Sequence, residues 1–288
     1  MPRGSLLATS DLHATHDGNT ELIRSIRPYT DDDWLIIAGD VADSAAVVET
    51  TLKLLAGRFA KVIWTPGNHE LWTVGGDPVR SRGEFRYTHL VEMCRNLGIV
   101  TPEDEYPVWR TESESFVVAP LFLLYDYSFR EPGLSREEAL RRAYDTGLVF
   151  ADERLLHPDP YPSREEWCRH RVELTERRLA AIPDNLRTVL ISHFPLHRGP
   201  TRMLRHQHLA MWCGTEHTAD WHLRFRAAVV VYGHLHIPLT LEYDGVRFEE
   251  VSLGYPREWR RRPFPPEPVR RILPADPNRR PFNRRSEA

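Results

Sequence analysis

Carboxylate, amide and imidazole side chains recur at five places in this 288-residue chain: Asp11 with His13, Asp40 with Asp43, Asn68 with His69, His193, and His234 with His236. All of these donors are oxygen or nitrogen and none is a thiolate. Such a set suits Mn²⁺, Fe or Zn²⁺ and does not suit a cysteine-type structural zinc. Asp11 and His13 stand at i and i+2, so an extended chain would turn both to one side and let them clasp one ion. His234 and His236 repeat that spacing. More donors are present than one tetrahedral or octahedral ion can use. Two ions sharing a carboxylate, roughly 3.5–4 Å apart, fit better. Gly39, Gly67 and Gly233 sit beside the donors, where sharp turns and close backbone approach are needed.

Each cluster lies just past a short apolar run, at 5–9, 34–38, 61–65, 188–191 and 228–232. Continuous rather than alternating hydrophobicity predicts strands covered on both faces, as in α/β proteins. Weaker strand patterns fall at 115–119 and 246–252. Helical periodicity marks 20–27, 45–56, 84–96, 136–144 and 164–182. The last opens on Ser163 and Glu166, a capping-box spacing. In open α/β sheets, sites form outside the carboxyl ends of strands, which is where all five clusters fall. A lone loop histidine is ordinarily bland, but five such exits together are not a scatter.

Composition narrows the class. Hydrophobic residues are 41% and charged residues 27%, which suits an ordinary globular chain long enough for one large core. No apolar run reaches the roughly 20 residues of a membrane helix, and the first residues show no export signal. Three widely spaced cysteines, Cys94, Cys168 and Cys213, give no disulfide framework, so a cytoplasmic setting is expected. The chain divides into a body, 1–256, with an irregular cap-like insert at 71–162, and an Arg/Pro-rich tail, 257–288. The tail holds ten arginines against four carboxylates. It therefore carries +6, and the body −9, within a total of −3. Its composition suits extended polyproline conformation or disorder, with a solvated terminus as the expectation.

Asp11-x-His13, Gly39-Asp40-x-x-Asp43, Gly67-Asn68-His69-Glu70, His193 and Gly233-His234-x-His236 together resemble the five-block signature of calcineurin-like metallophosphoesterases. The blocks stand in that family's order across 11–236. The resemblance implies a four-layer α/β/β/α sandwich of two mixed sheets with a dinuclear centre at one edge. It implies that Asp11, His13, Asp40 and His236 hold one ion, and that Asp40 bridges to a second held by Asn68, His193 and His234. His69 would be the general acid for the leaving oxygen, and Asp43 would orient it. The implied reaction is phosphoester hydrolysis by a metal-bound hydroxide, on a small-molecule or nucleotide monoester or diester. Metal coordination lowers the pKa of water from 15.7 toward roughly 7, and the two ions neutralise phosphoryl charge.

Protein serine/threonine phosphatases of this superfamily usually place arginine after the second aspartate of the GDxxD block. Here that residue is Ser44, which weakens that branch. Arg80, Arg82, Arg86 and Arg130 in the insert are alternative phosphate contacts, with Arg86 and Arg130 chosen together with Asn68 as substrate-binding candidates. Trp72, Tyr125, Tyr127 and Phe129 would wall the site or pack the insert. His206, His208, His217 and His222 lack carboxylates at ligand spacing and read as rim or loop. A nuclease holding nucleic acid on the tail is the alternative enzyme, although the acidic body argues against a general nucleic-acid surface. A metal-free scaffold would not need so many clustered polar groups.

Overall fold

A computed structural model describes residues 4–147, 150–279 and 281–282. The five apolar runs form β1 (Leu6–Thr9), β2 (Trp34–Ile37), β3 (Lys61–Trp64), β6 (Arg187–Ile191) and β7 (Ala227–Tyr232). The weaker patterns are also strands, β5 (Ser115–Pro120) and β9 (Val246–Glu250). Three short strands without a clear apolar signal complete the set: β4 (Val108–Arg110), β8 (Thr240–Tyr243) and β10 (Arg270–Leu273). One sheet has the order β10-β1-β2-β3 and the other β4-β5-β6-β7-β9-β8. Both are mixed: β1–β2–β3 and β5–β6–β7–β9 run parallel, while β10, β4 and β8 add antiparallel edges.

The two sheets pack face to face, which explains the unbroken hydrophobic runs. Leu6, Ala8, Ile36, Ala38, Val189, Ile191, Val229 and Val231 form one buried cluster between them. The alternate residues Leu7, Leu35, Ile37, Leu190 and Val230 join a second cluster with helix residues such as Ile23, Val48, Leu52 and Trp167. Successive side chains point to opposite faces, so a strand buried on both must be apolar throughout.

The helices are α1 (Asp17–Ser25), α2 (Ala45–Ala56), α3 (Asn68–Leu71), α4 (Gly83–Asn96), α5 (Arg136–Asp145), α6 (Asp152–Leu155), α7 (Arg164–Ala180), α8 (Trp221–Arg224) and α9 (Pro256–Trp259). Ser163 accepts from the Glu166 amide at 3.2 Å, but the Glu166 carboxylate turns to Arg169 instead of closing the capping box. The reciprocal box forms on α5, between Ser135 and Glu138.

Two organisational expectations are corrected. The stretch 71–162 is not all cap, because β5 lies inside the larger sheet and α4 packs on α2. Nor does the described part of the tail hang free, while residues 280 and 283–288 lie outside the described residues. Its β10 pairs with β1, Ile272 is buried between the sheets, and buried Arg270 reaches Glu249 at 3.3 Å and the Glu250 carbonyl at 2.6 Å. Proline and arginine composition hid this strand, since it holds only two apolar residues, Ile272 and Leu273.

Candidate metal centre

The ends of β1, β2, β3, β6 and β7 bring the five clusters to one edge of the sandwich. Asp11, His13, Asp40, His234 and His236 all have left-handed φ, between 41° and 70°. The extended backbone expected of the i, i+2 pairs is therefore wrong, since the chain coils at each strand exit; Asp11 and His13 still meet in one donor group, while His234 and His236 go to different ones. Such backbone is costly for residues with a Cβ and clusters at functional sites. Gly39, at φ 86°, shows why glycine is required beside them. A Cβ there would lie 2.5 Å from the Gly67 nitrogen and 2.7 Å from His193 Nδ1.

Two groups of donor atoms result, Asp11–His13–His236 and Asp40–His193–His234, each with its ligand atoms within 4.8 Å of one another. His13 Nε2 and His236 Nε2 are 3.1 Å apart, and His236 Nε2 is 3.0 Å from Asp11 Oδ1. In the second group, His193 Nε2 is 3.2 Å from His234 Nδ1, 3.1 Å from Asn68 Oδ1 and 3.5 Å from Asp40 Oδ2.

The hydrogen bonds behind these atoms decide what they fit. His193 Nδ1 donates to the Ala38 carbonyl at 2.9 Å, so its Nε2 presents a lone pair. Asn68 donates its Nδ2 to Asp152 at 2.9 Å, which turns Oδ1, also an acceptor, toward that lone pair. Two acceptors 3.1 Å apart repel unless a cation lies between them. Two donors each about 2.1 Å from one ion and near a right angle would stand about 3 Å apart. The residues therefore fit divalent cations.

The carboxylates say the same. Asp40 is buried, and burial, then Glu70 and Asp11, push its carboxyl well above the usual range. Burial depresses His193, His234 and His13, keeping these rings neutral. His236 is the exception. Burial pulls it down, but Asp11 and Glu258 outweigh that and push it up to about 10. Asp11 is well below the usual range because His236, His193 and His13 overcome the upward push of burial.

His69 stands apart from the two donor groups. Its Nδ1 is 2.6 Å from Asp43 Oδ1, and its Nε2 faces Asp40 Oδ2 at 3.7 Å. His13, Asp43 and His69 also come together as a third group, but the Asp43 bond occupies Nδ1 of His69.

Arg86 is corrected. It is completely buried and bonds the Glu70, Val79 and Asp43 carbonyls and the Asp77 carboxylate, so it cannot reach substrate. Arg130 folds back on the Leu134 and Tyr127 carbonyls and lines a separate cavity of about 210 Å³ with Arg198 and Met211. Tyr125, Tyr127 and Phe129 are core residues, whereas Trp72 lies on His69 with ring centroids 3.7 Å apart. His222 bonds Asp244, His217 lies near Asp126, and among the described residues no metal grouping includes His206, His208, His217 or His222.

Several supporting residues escaped the sequence reading. Glu70 accepts from the amides of Asp40, Val41 and Gly67 at 2.8–3.0 Å, clamping two strand exits together. Its place in the Gly67–Glu70 block was the available signal. Ser10 and Ser252 each donate to Asp11 Oδ2 at 2.6 Å, leaving Oδ1 to face His236. Asp152 comes from the insert, Tyr255 from the last residues of the body and Glu258 from the start of the tail, where nothing in the local pattern marks them.

A family model described as calcineurin-like phosphoesterase matches residues 4–238. The chain belongs to the calcineurin-like phosphoesterase family. Its members use a dinuclear metal centre, and this phosphoesterase is a hydrolase of phosphoester bonds. It is 51% identical over 271 residues to the [acyl-carrier-protein] phosphodiesterase PptH of Mycobacterium tuberculosis (strain ATCC 25618 / H37Rv), covering 94% of this chain and 83% of that one. The crystal structure of the phosphopantetheinyl hydrolase PptH from Mycobacterium tuberculosis superposes with a TM-score of 0.93 at 50% identity. That match covers 98% of this chain and 100% of the other.

Proposed function

We propose that this phosphoesterase hydrolyses a phosphodiester on acyl carrier protein, releasing the phosphopantetheinyl group. The observation that carries the reading is 51% identity, across 94% of the chain, to a relative with that activity. A reducing, cytoplasmic compartment suits its three buried free thiols. The partner is then a protein bearing a small phosphoester arm.

In this reading Asp11, His13, Asp40 and His236 hold one divalent ion, and Asp40, Asn68, His193 and His234 hold the other. Mn²⁺, Fe²⁺/Fe³⁺ and Zn²⁺ all suit oxygen and imidazole donors. Two such ions supply charge neutralisation of the phosphoryl group and a nucleophile near neutral pH. The chain's own groups do the rest. Glu70 fixes the Asp40 backbone through its amide, and the His69 amide donates to Asp40 Oδ1 at 2.9 Å, which holds the shared carboxylate in place. Asp152 fixes the face of the Asn68 amide, which is also the proposed substrate contact. Asp43 holds His69 Nδ1–H, leaving Nε2–H to give its proton to the departing oxygen as the P–O bond breaks.

The test is to incubate the purified protein with Mn²⁺ and a phosphopantetheinylated carrier protein and follow intact mass. Loss of the phosphopantetheinyl mass is expected, and H69A should be slow. Cleavage of bis(4-nitrophenyl) phosphate with an unchanged carrier mass would contradict the substrate.

A further inference from the structure

The residues matched by the family model end at 238, yet one side of the centre's mouth is built from the segment that follows β9. Leu253 and Gly254 hang this segment on the Ser10 and Asp11 carbonyls through their amides, at 2.9 and 3.1 Å. Tyr255 then lays its ring parallel to His13, with centroids 4.2 Å apart and planes 19° from parallel. It meets His236 and His16 edge-on at 5.0 and 5.2 Å. Glu258 Oε2 accepts from the Tyr255 amide at 2.9 Å and from His236 Nδ1 at 2.7 Å. Ring packing, backbone anchoring and this shared carboxylate fix where the phenol points.

Its hydroxyl lies 3.4 Å from His69 Nε2, the nitrogen that faces Asp40. Among the described residues no other polar partner meets that hydroxyl. A phenylalanine would make the same stack on His13. The oxygen adds only one thing, a neutral donor aimed at the space over the donor groups. A non-bridging phosphoryl oxygen that faces a cation keeps further lone pairs and can still accept from this donor.

We propose that Tyr255 is a substrate-binding residue whose hydroxyl donates a hydrogen bond to a non-bridging phosphoryl oxygen, beside the path on which His69 protonates the leaving oxygen. The proposal rests on the dinuclear reading above but not on the carrier-protein substrate. No bond to Tyr255 forms and its proton stays on the phenol. Charge grows on the phosphoryl oxygens in the transition state, and a preorganised donor stabilises that charge.

The test uses Tyr255→Phe in the full-length, manganese-loaded enzyme, with bis(4-nitrophenyl) phosphate and with a diester of an alkyl leaving group. A donor to a non-bridging oxygen is indifferent to the leaving group, so kcat/KM should fall about 10- to 100-fold on both substrates. Manganese affinity, measured by titration, should stay within about two-fold of the wild type, since Phe keeps the stack. Unchanged kcat/KM on both substrates would overturn the proposal. So would a loss confined to the alkyl diester, which would assign the hydroxyl to the leaving oxygen. A matching loss of manganese affinity would also overturn it, by making Tyr255 a support for His13. Wild-type cleavage of the aryl diester without attack on carrier protein would reject the proposed substrate and leave this test intact.

Discussion

The two halves of the centre are braced from different parts of the chain. Asp11, His13 and His236 lean on the C-terminal segment, where Glu258 bonds His236 Nδ1 at 2.7 Å. Asn68 and His193 lean on the interior: the Asp152 carboxylate holds Asn68, and the Ala38 carbonyl holds His193. The side chains of His236 and Glu258 are 14% and 33% exposed, whereas Asp152 and the His193 side chain are fully buried. Hydrogen bonds that water can replace are worth less than those it cannot reach. The second half is thus braced by groups shielded from water, and the first by groups that solvent can reach.

The largest disturbance is the one that strikes both halves. Asp40→Asn should lower metal content below two ions per chain and reduce turnover by at least about 10³-fold. Elemental analysis showing full occupancy of both sites would contradict the bridging assignment. Next is His69→Ala, which should keep both ions yet lose about 10²–10⁴-fold in kcat on an alkyl diester. The loss should be smaller on bis(4-nitrophenyl) phosphate, whose leaving group needs little protonation. Equal loss on both would remove His69 as the proton donor.

Separating the halves requires smaller changes. Asp152→Ala frees the Asn68 amide and should weaken one ion about 100-fold; Glu258→Gln should weaken the other about 10-fold. Calorimetric titration with Mn²⁺ reads each as the weakening of one binding step with the other preserved. Equal weakening of both steps in either variant would mean that the halves do not respond separately. The smallest effect on the centre belongs to Arg86→Met. It strands the buried Asp77 carboxylate and should cost about 3–5 kcal/mol of stability without changing metal stoichiometry. Burial raises the Asp77 pKa, but Arg86 and the Val79 and Ala45 amides outweigh it, so the folded value is depressed. Its stabilisation is therefore complete above about pH 4 and fades as pH falls through that lower value. Thermal melts across acid pH should show a shallower dependence in the variant.

The same division separates what was legible in the sequence from what was not. Asp11, Asp40, Asn68, His193 and His236 follow strands whose side chains are buried on both faces, so runs such as 34–38 announce them. Residues that brace them have no such constraint. Asp152 begins a four-residue helix in the insert and acts across a distance of 84 residues. Glu258 and Tyr255 sit in an Arg/Pro-rich segment whose composition suits disorder, and only its contacts with His236 and His13 reveal their place. Arg86 shows the opposite failure. A basic residue in an irregular stretch suggested a phosphate contact, but its partners Asp77 and the Glu70 carbonyl enclose it. Strand β10 was hidden because half of its residues are arginine, one of them neutralised by Glu249.

Electron paramagnetic resonance of the wild type loaded with two equivalents of Mn²⁺ tests the shared-carboxylate centre most directly. The geometry predicts the multiline spectrum of two exchange-coupled ions. Uptake of a single equivalent, or the six-line spectrum of isolated ions at full loading, would contradict it.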